Sequence, residues 1–94
     1  MSEGTHKPYT LRTTPTVRRA LAATLPEAVA AAACEFITAP LLEQPHRAGK
    51  QLLPPLHDRV SARRGTYRVI YRIDDETHVV TVVDIGHRRD IYRT

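Results

Sequence analysis

The spacing of apolar residues changes period along the chain, from two to about four and back to two. Tyr9-Thr10-Leu11-Arg12-Thr13 alternates, which predicts a short strand. Thr14-Pro15 then has the form of a helix start, with Thr14 as N-cap and Pro15 at the first helical position. Val17, Ala20, Leu21 and Thr24 follow at helical spacing. Leu25-Pro26 ends that helix and opens a second, because proline suits a first turn and blocks continuation. The second helix runs from about Pro26 to about Thr38, with Val29, Ala32, Ala33, Phe36 and Ile37 as its apolar stripe. The alanines of Ala28–Ala33 serve either close packing of the first helix or helix propensity alone.

Pro40, Pro45, Gly49, Pro54 and Pro55 break any regular pattern, so residues 40–55 read as a connection that exposes His46, Arg47 and Lys50. The last third reads as three strands, Leu56–Arg63, Thr66–Asp74 and Thr77–Ile85, separated by turns at Arg64-Gly65 and Asp75-Glu76. The expected fold class is α+β: an N-terminal strand and a two-helix hairpin packed on one face of a small antiparallel sheet. The first strand joins at an edge or beside the last strand. Residues 1–7 are polar and read as a flexible tail, leaving one domain over residues 8–93.

Register assigns side chains to faces. A two-residue turn at Arg64-Gly65 puts His57, Arg59, Ser61, Arg63, Arg68 and Arg72 on one face. Leu56, Val60, Ala62, Tyr67, Val69, Tyr71 and Ile73 fall on the other, the natural seat of the helices. The second turn sets Tyr71 opposite Val80 and Val69 opposite Val82. It leaves Val79, Val83 and Ile85 on the basic face, with Asp58 and Asp84 on the helix side. The basic face is then a partly apolar surface with cations around it.

Charge sharpens this picture. The net charge is +4 and lies entirely in residues 47–94, since residues 1–46 balance. Twelve of the 14 cations are arginine, whose planar fork suits phosphate. A solvated, solubilising surface is the plainer alternative. At 41% hydrophobic and 26% charged, the composition is that of a folded globular protein. The lone Cys34 excludes an intramolecular disulfide and a cysteine-rich zinc site. No cofactor is expected. No glycine-rich phosphate loop occurs, so nucleotide hydrolysis is not expected. The N-terminus lacks a charged region followed by an apolar run, and no stretch approaches a membrane span; a soluble cytoplasmic protein is the expectation.

The chain ends in Gly86-His87-Arg88-Arg89-Asp90-Ile91-Tyr92-Arg93. An imidazole, a guanidinium and a phenol close to Arg68 could transfer protons or grip phosphate. The alternatives are a hydrogen-bonding role for His87 and a core plug made of Ile91 and Tyr92. His87 and Asp90 lack further ligands for a metal site. Ser61 lacks a nucleophile elbow.

Two runs carry a resemblance: Ser61-Ala62-Arg63-Arg64-Gly65-Thr66-Tyr67-Arg68-Val69-Ile70-Tyr71-Arg72-Ile73-Asp74, and Ile85 through Arg93. With Pro40-Leu41 and Pro45 through Lys50, they resemble RelE-family toxins of bacterial toxin–antitoxin systems, in detail the actinobacterial members. The resemblance spans residues 8–93. It implies a ribosome-dependent endoribonuclease that cuts mRNA in the A site by attack of the RNA 2′-hydroxyl, without a metal. It carries phosphate binding to Arg68, leaving-group or transition-state stabilisation to Arg88, and general-base and stacking roles to Tyr92. The family's strand lysines are absent. Arg59, Ser61 and Arg63 stand near their places, so proton transfer falls to His87 or Tyr92. Arg64, Arg72 and Lys50 complete the expected RNA-binding set. The implied partners are a RelB-like antitoxin, the ribosome and mRNA, with a monomeric free toxin. A ParE-like gyrase poison and a non-catalytic RNA- or protein-binding module are the competing readings.

Overall fold

The computed structural model describes residues 7–52 and 58–87, the His87 side chain excepted. Thr10–Thr13 form β1, and Thr14 caps the helix that follows by accepting the Val17 N–H at 3.3 Å. That helix, α1, begins at Pro15–Arg19 and ends in a wider π-turn over Ala20–Thr24, closed by Leu25 N–H on the Ala20 carbonyl at 2.9 Å. The extended Leu25-Pro26 junction separates it from α2, Glu27–Thr38. Both helices follow the sequence pattern: Val17, Ala20, Ala33, Phe36 and Ile37 are buried.

The segment read as a plain connection is more ordered than its prolines suggest. Pro40 and Pro45 each sit in a first turn, opening α3 (Pro40–Glu43) and α4 (Pro45–Ala48). Lys50–Gln51 then form β2. Helices of four residues are too short to carry a readable period, and the prolines that start them look like breakers.

Val60–Arg64, Tyr67–Asp74 and Val79–His87 are β3, β4 and β5. The sheet order is β1-β5-β4-β3-β2. β1 lies at one edge and pairs parallel to β5, so the sheet is mixed, not purely antiparallel. Arg18 donates to the Thr13 carbonyl at 2.8 Å and partly covers that edge.

Both hairpins differ from the sequence-based register. The first turn is Gly65-Thr66, with Arg64 opposite Tyr67; Gly65 takes φ +58°, as a two-residue loop requires. The slip is two residues, which preserves the faces. Ser61 thus faces Ile70, not Arg68, and Arg63 faces Arg68. The second loop is four residues, Asp75 to His78. Asp74 accepts the Glu76 and Thr77 N–H groups at 3.0 and 3.2 Å, and His78 closes the loop at φ +62°. Tyr71 is therefore opposite Val82, not Val80, and Val69 is opposite Ile85.

A bulge between those pairs changes the face assignment beyond it. Tyr71 pairs with Val82 but Ile70 pairs with Asp84, leaving Val83 as the extra residue. Ile85 consequently joins the core and Asp84 turns to the basic face, the reverse of the expected placement. Asp58 also departs from expectation: it precedes β3 and its carboxylate lies 3.7 Å from Arg72.

The core sits between the helices and one sheet face, and includes Ala62, Tyr67, Val69, Tyr71, Val80, Val82 and Ile85. Tyr71 is fully buried and donates to the Pro45 carbonyl at 2.6 Å. Tyr67 donates to the Ala32 carbonyl at 3.3 Å. Burial pushes the Tyr71 phenol up to about 12. Burial likewise raises that of Tyr67, against the nearby Arg64 charge. At the far end, the exposed Asp75 accepts the Tyr9 hydroxyl and lies 2.9 Å from His46 Nε2, while Tyr9 stacks on His78 at 3.8 Å. These contacts tie β1 and α4 to the β4–β5 loop and hold the Asp75 carboxyl below its usual value. No helix among the described residues is long and apolar enough to cross a membrane.

Two measurements check this account. Tyr71→Phe strands the Pro45 carbonyl and is expected to lower the unfolding free energy by about 1–2 kcal/mol in urea titration, with unchanged slope. The neutral Tyr71 phenol is favoured in the fold, so its contribution is full below ~10 and is lost as pH rises beyond it. The variant should therefore lose part of the alkaline decline. Asp75 works in the opposite direction: its depressed pKa stabilises the fold above ~4 and ceases to do so as pH falls through the folded value. Asp75→Asn should lower the melting temperature at neutral pH and flatten the acid limb.

Candidate nucleic-acid interface

Alternation along β4 sends Tyr67, Val69 and Tyr71 into the helices and Arg68, Ile70 and Arg72 to the opposite face. Across the sheet these residues form ranks. One runs Lys50, Ser61, Ile70 and Asp84; the next holds Arg63, Arg68 and Gly86. Arg63 and Arg68 are direct cross-strand partners, which gathers two guanidinium groups on one face. Arg68 is only 7% exposed, which is unusual for an arginine.

Beside Arg68 opens a groove of about 690 Å³, lined by Ser61, Arg63 and Arg68 and by residues 47–52. Among the described residues that line it, Arg47, Lys50, Arg63 and Arg68 are the cations and none is a carboxylate. Two features fix the spacing of the walls. The buried Tyr71–Pro45 hydrogen bond anchors the start of α4. Gly49 passes so close to β3 that a Cβ there would lie 2.5 Å from the Ser61 carbonyl oxygen.

The expected site residues are not all gathered in the groove. Lys50, Ser61, Arg63 and Arg68 line it together. Arg59 is half-buried just before β3; its carbonyl accepts the Leu52 N–H at 3.0 Å, which extends the β2–β3 pairing. Its Nε is buried without a hydrogen-bond partner among the described residues. Arg72 is exposed further along β4, beside Asp58 and near Asp74, Asp75 and Glu76. Arg64 lies on the helix side, its guanidinium 4.7 Å from the Phe36 ring centroid. His87 is the Cα partner of Tyr67, while Arg68 is paired with Gly86. Arg88 and Tyr92 lie outside the described residues, as does His57.

Arg47 and Gly49 are legible in the sequence as part of an exposed connection but are not among the expected site residues. The available signal was Pro45 followed four residues later by Gly49, a start-and-stop pair for one helical turn. The groove can bind and neutralise an extended anion. Its cations are mostly arginines, which hold their protons too tightly for easy acid–base work. Among the described residues, no group of three or more His, Cys, Asp or Glu side chains could hold a metal ion.

This architecture is the fold of RelE toxins. A double mutant of Escherichia coli RelE in the free state superposes with a TM-score of 0.72, covering 93% of each chain at 23% identity. The toxin–antitoxin complex RelBE2 of Mycobacterium tuberculosis gives a TM-score of 0.82 at 48% identity, covering 87% of this chain and 100% of that one. Toxin RelG of Mycobacterium tuberculosis is 50% identical over 86 residues, 92% of this chain and 98% of RelG. Toxin RelE of the same organism is 49% identical over 86 residues, 92% of this chain and 88% of its own. The family model that matches, over residues 9–92, describes the ParE toxin of type II toxin–antitoxin systems. The chain belongs to that family and is a RelE-family toxin of a type II toxin–antitoxin system.

The two glycines at the groove and the turn separate space from conformation. Gly49→Ala must move β2 away from β3 and is expected to cost about 1–3 kcal/mol. Gly65→Ala meets nothing within 4 Å and carries only the positive-φ penalty, about 1 kcal/mol. Thermal unfolding of the two variants, measured side by side, checks the order.

Proposed function

We propose that this toxin is a ribosome-dependent endoribonuclease that cuts mRNA in the ribosomal A site and thereby stops translation in the cytoplasm. The observation that carries the reading is the buried Arg68 beside a groove that Arg47, Lys50 and Arg63 also line. The likeness to Toxin RelG and Toxin RelE supports it.

In this reading Arg68 grips the scissile phosphate, and Lys50, Arg59, Ser61, Arg63, Arg64 and Arg72 contribute to holding the RNA. The RNA 2′-hydroxyl attacks the adjacent phosphorus and the bond to the 5′-oxygen breaks, leaving a cyclic phosphate and a new 5′-hydroxyl. The substrate supplies its own nucleophile, so the scheme needs no metal. Its energetic demands are in-line positioning, charge neutralisation and two proton transfers. Arg88 stabilises the transition state or the leaving group, Tyr92 accepts the 2′-hydroxyl proton, and His87 is the second titrating group. Arginines close to Tyr92 would lower its phenol pKa and make it a better base. A RelB-like antitoxin is the cognate partner, by analogy with the RelBE2 complex. The free toxin is a monomer.

Induction of the protein followed by primer extension on translated messages tests this. In-frame cleavage is expected, reduced by about 10²–10³-fold in Arg68→Ala and Arg88→Ala and strongly reduced in Tyr92→Phe. DNA breaks with intact messages would instead assign the protein to the gyrase-poison reading, which the ParE family match favours. Unchanged cleavage in all three variants would remove the residue assignments.

A further inference from the structure

Three parts of the chain meet at one exposed carboxylate, at the end of β4 away from Gly65. Asp75, in the β4–β5 loop, accepts the hydroxyl of Tyr9, the residue before β1. From α4, His46 Nε2 lies 2.9 and 3.1 Å from its two oxygens. An ionised carboxylate only accepts, so His46 Nε2 carries a hydrogen whether the ring is neutral or charged. His78 closes the same loop. Its Nε2 donates to the Lys7 carbonyl at 2.8 Å, its ring stacks on Tyr9, and its carbonyl accepts the Thr10 N–H at 2.8 Å. Two histidines thus stand at the junction, and histidine changes charge between about pH 5 and 8.

The surroundings of His46 are acidic, on a chain whose net charge is +4. Asp58 lines the same cavity of about 440 Å³ as His46, with Arg72 3.7 Å from its carboxylate. Asp74 and Glu76 flank Asp75 and share a recess with Arg72. The neighbouring Arg47 turns to Gln44, 3.4 Å away, and Lys7 approaches through its backbone carbonyl.

We propose that His46 and Asp75 form a proton-tightened clamp: charging of the His46 ring turns its hydrogen bond to Asp75 into an ion pair and fastens α4 to the β4–β5 loop. A charge-assisted hydrogen bond is stronger than a neutral one, so the contact contributes most where the ring is charged and the carboxylate ionised. It weakens as pH rises through the histidine range. It ends in strong acid, where Asp75 takes up a proton; the hydrogen bonds from Tyr9 and His46 hold that carboxyl below its usual value. Tyr9 steadies the carboxylate from the β1 side and stays a neutral donor, since the same hydrogen bond raises its phenol. The clamp gives the one-turn α4 a second tether: Tyr71 holds Pro45 from the core, and Asp75 holds His46 at the surface. Its action is independent of what the groove binds. The two side chains are 59% and 61% exposed, which keeps the effect small.

Melting temperatures of His46→Gln, Asp75→Asn and the double variant, taken at about pH 5.5 and about pH 8, test the clamp. Glutamine keeps a donor but cannot be charged. The non-additivity of the two substitutions is expected to be larger at the lower pH by about 2–4 °C. His78→Asn, which tolerates the positive φ, should leave that pH dependence in place. Equal coupling at both pH values would reduce the contact to a neutral hydrogen bond and overturn the clamp. Additivity at both would overturn it as well, since the pair would then not interact. A pH-dependent coupling that disappears in His78→Asn would move the sensitivity to His78 and overturn the assignment to His46.

Discussion

The hydrogen bond from Tyr71 to the Pro45 carbonyl joins the two halves of the molecule. Tyr71 lies on β4, in the middle of the sheet, and its ring is fully enclosed by the core. Burying such a ring stabilises the fold by roughly 2 kcal/mol, and its hydroxyl must find a partner in the same step. The partner is the first residue of α4, a four-residue helix that could not persist alone. The next residues, Arg47, Gly49 and Lys50, take their positions from that anchor. The outer wall of the groove is therefore set by a core tyrosine. The inner wall is set by Arg68, on the same strand but turned to the other face.

Alternation also explains how a domain this small keeps a basic face without dissolving its core. Every residue of β4 from Tyr67 to Tyr71 is buried, yet only Tyr67, Val69 and Tyr71 meet the helices. Arg68 and Ile70 are shielded on the other side. The bulge at Val83 lets β5 serve both demands. It returns Ile85 to the core while leaving one strand position unpaired, and it turns Asp84 to the basic face opposite Ile70. Asp84 stays occupied there, accepting the Ile85 N–H at 2.8 Å. Asp58 lies beside Arg72, and neither Asp58 nor Asp84 lines the groove.

Much of this was legible in the sequence. Thr14-Pro15 and Leu25-Pro26 marked the helix boundaries because capping chemistry is local. The face assignment along β3 and β4 survived a wrong turn, because Gly65 lies in both possible turns and the slip was two residues. The β5 assignments did not survive. A bulge is a tertiary compromise between core filling and pairing, and Val82-Val83 reads the same with or without one. The parallel seat of β1 was equally hidden, since four alternating residues specify a strand but not its neighbour or direction. The α4–β2 wall was missed because proline inside a short segment signals a break more strongly than a single helical turn signals itself.

The groove also limits which part of the proposed chemistry it can perform. A buried guanidinium acts on an anion at short range and in a low-dielectric setting, which favours charge stabilisation. It does not favour proton exchange, because a guanidinium remains charged throughout. Arg59, Ser61 and Arg63, on or just before β3, do not relieve that restriction. Under the proposed mechanism the groove and the proton-transfer groups are separate parts of one site: β2, β3 and β4 would hold and neutralise the RNA backbone, and His87 and Tyr92 would supply the titrating atoms. Such a division makes binding and chemistry separable by mutation. Loss of a groove cation weakens attachment of substrate and transition state together, whereas loss of a titrating group leaves attachment intact and slows only the chemical step.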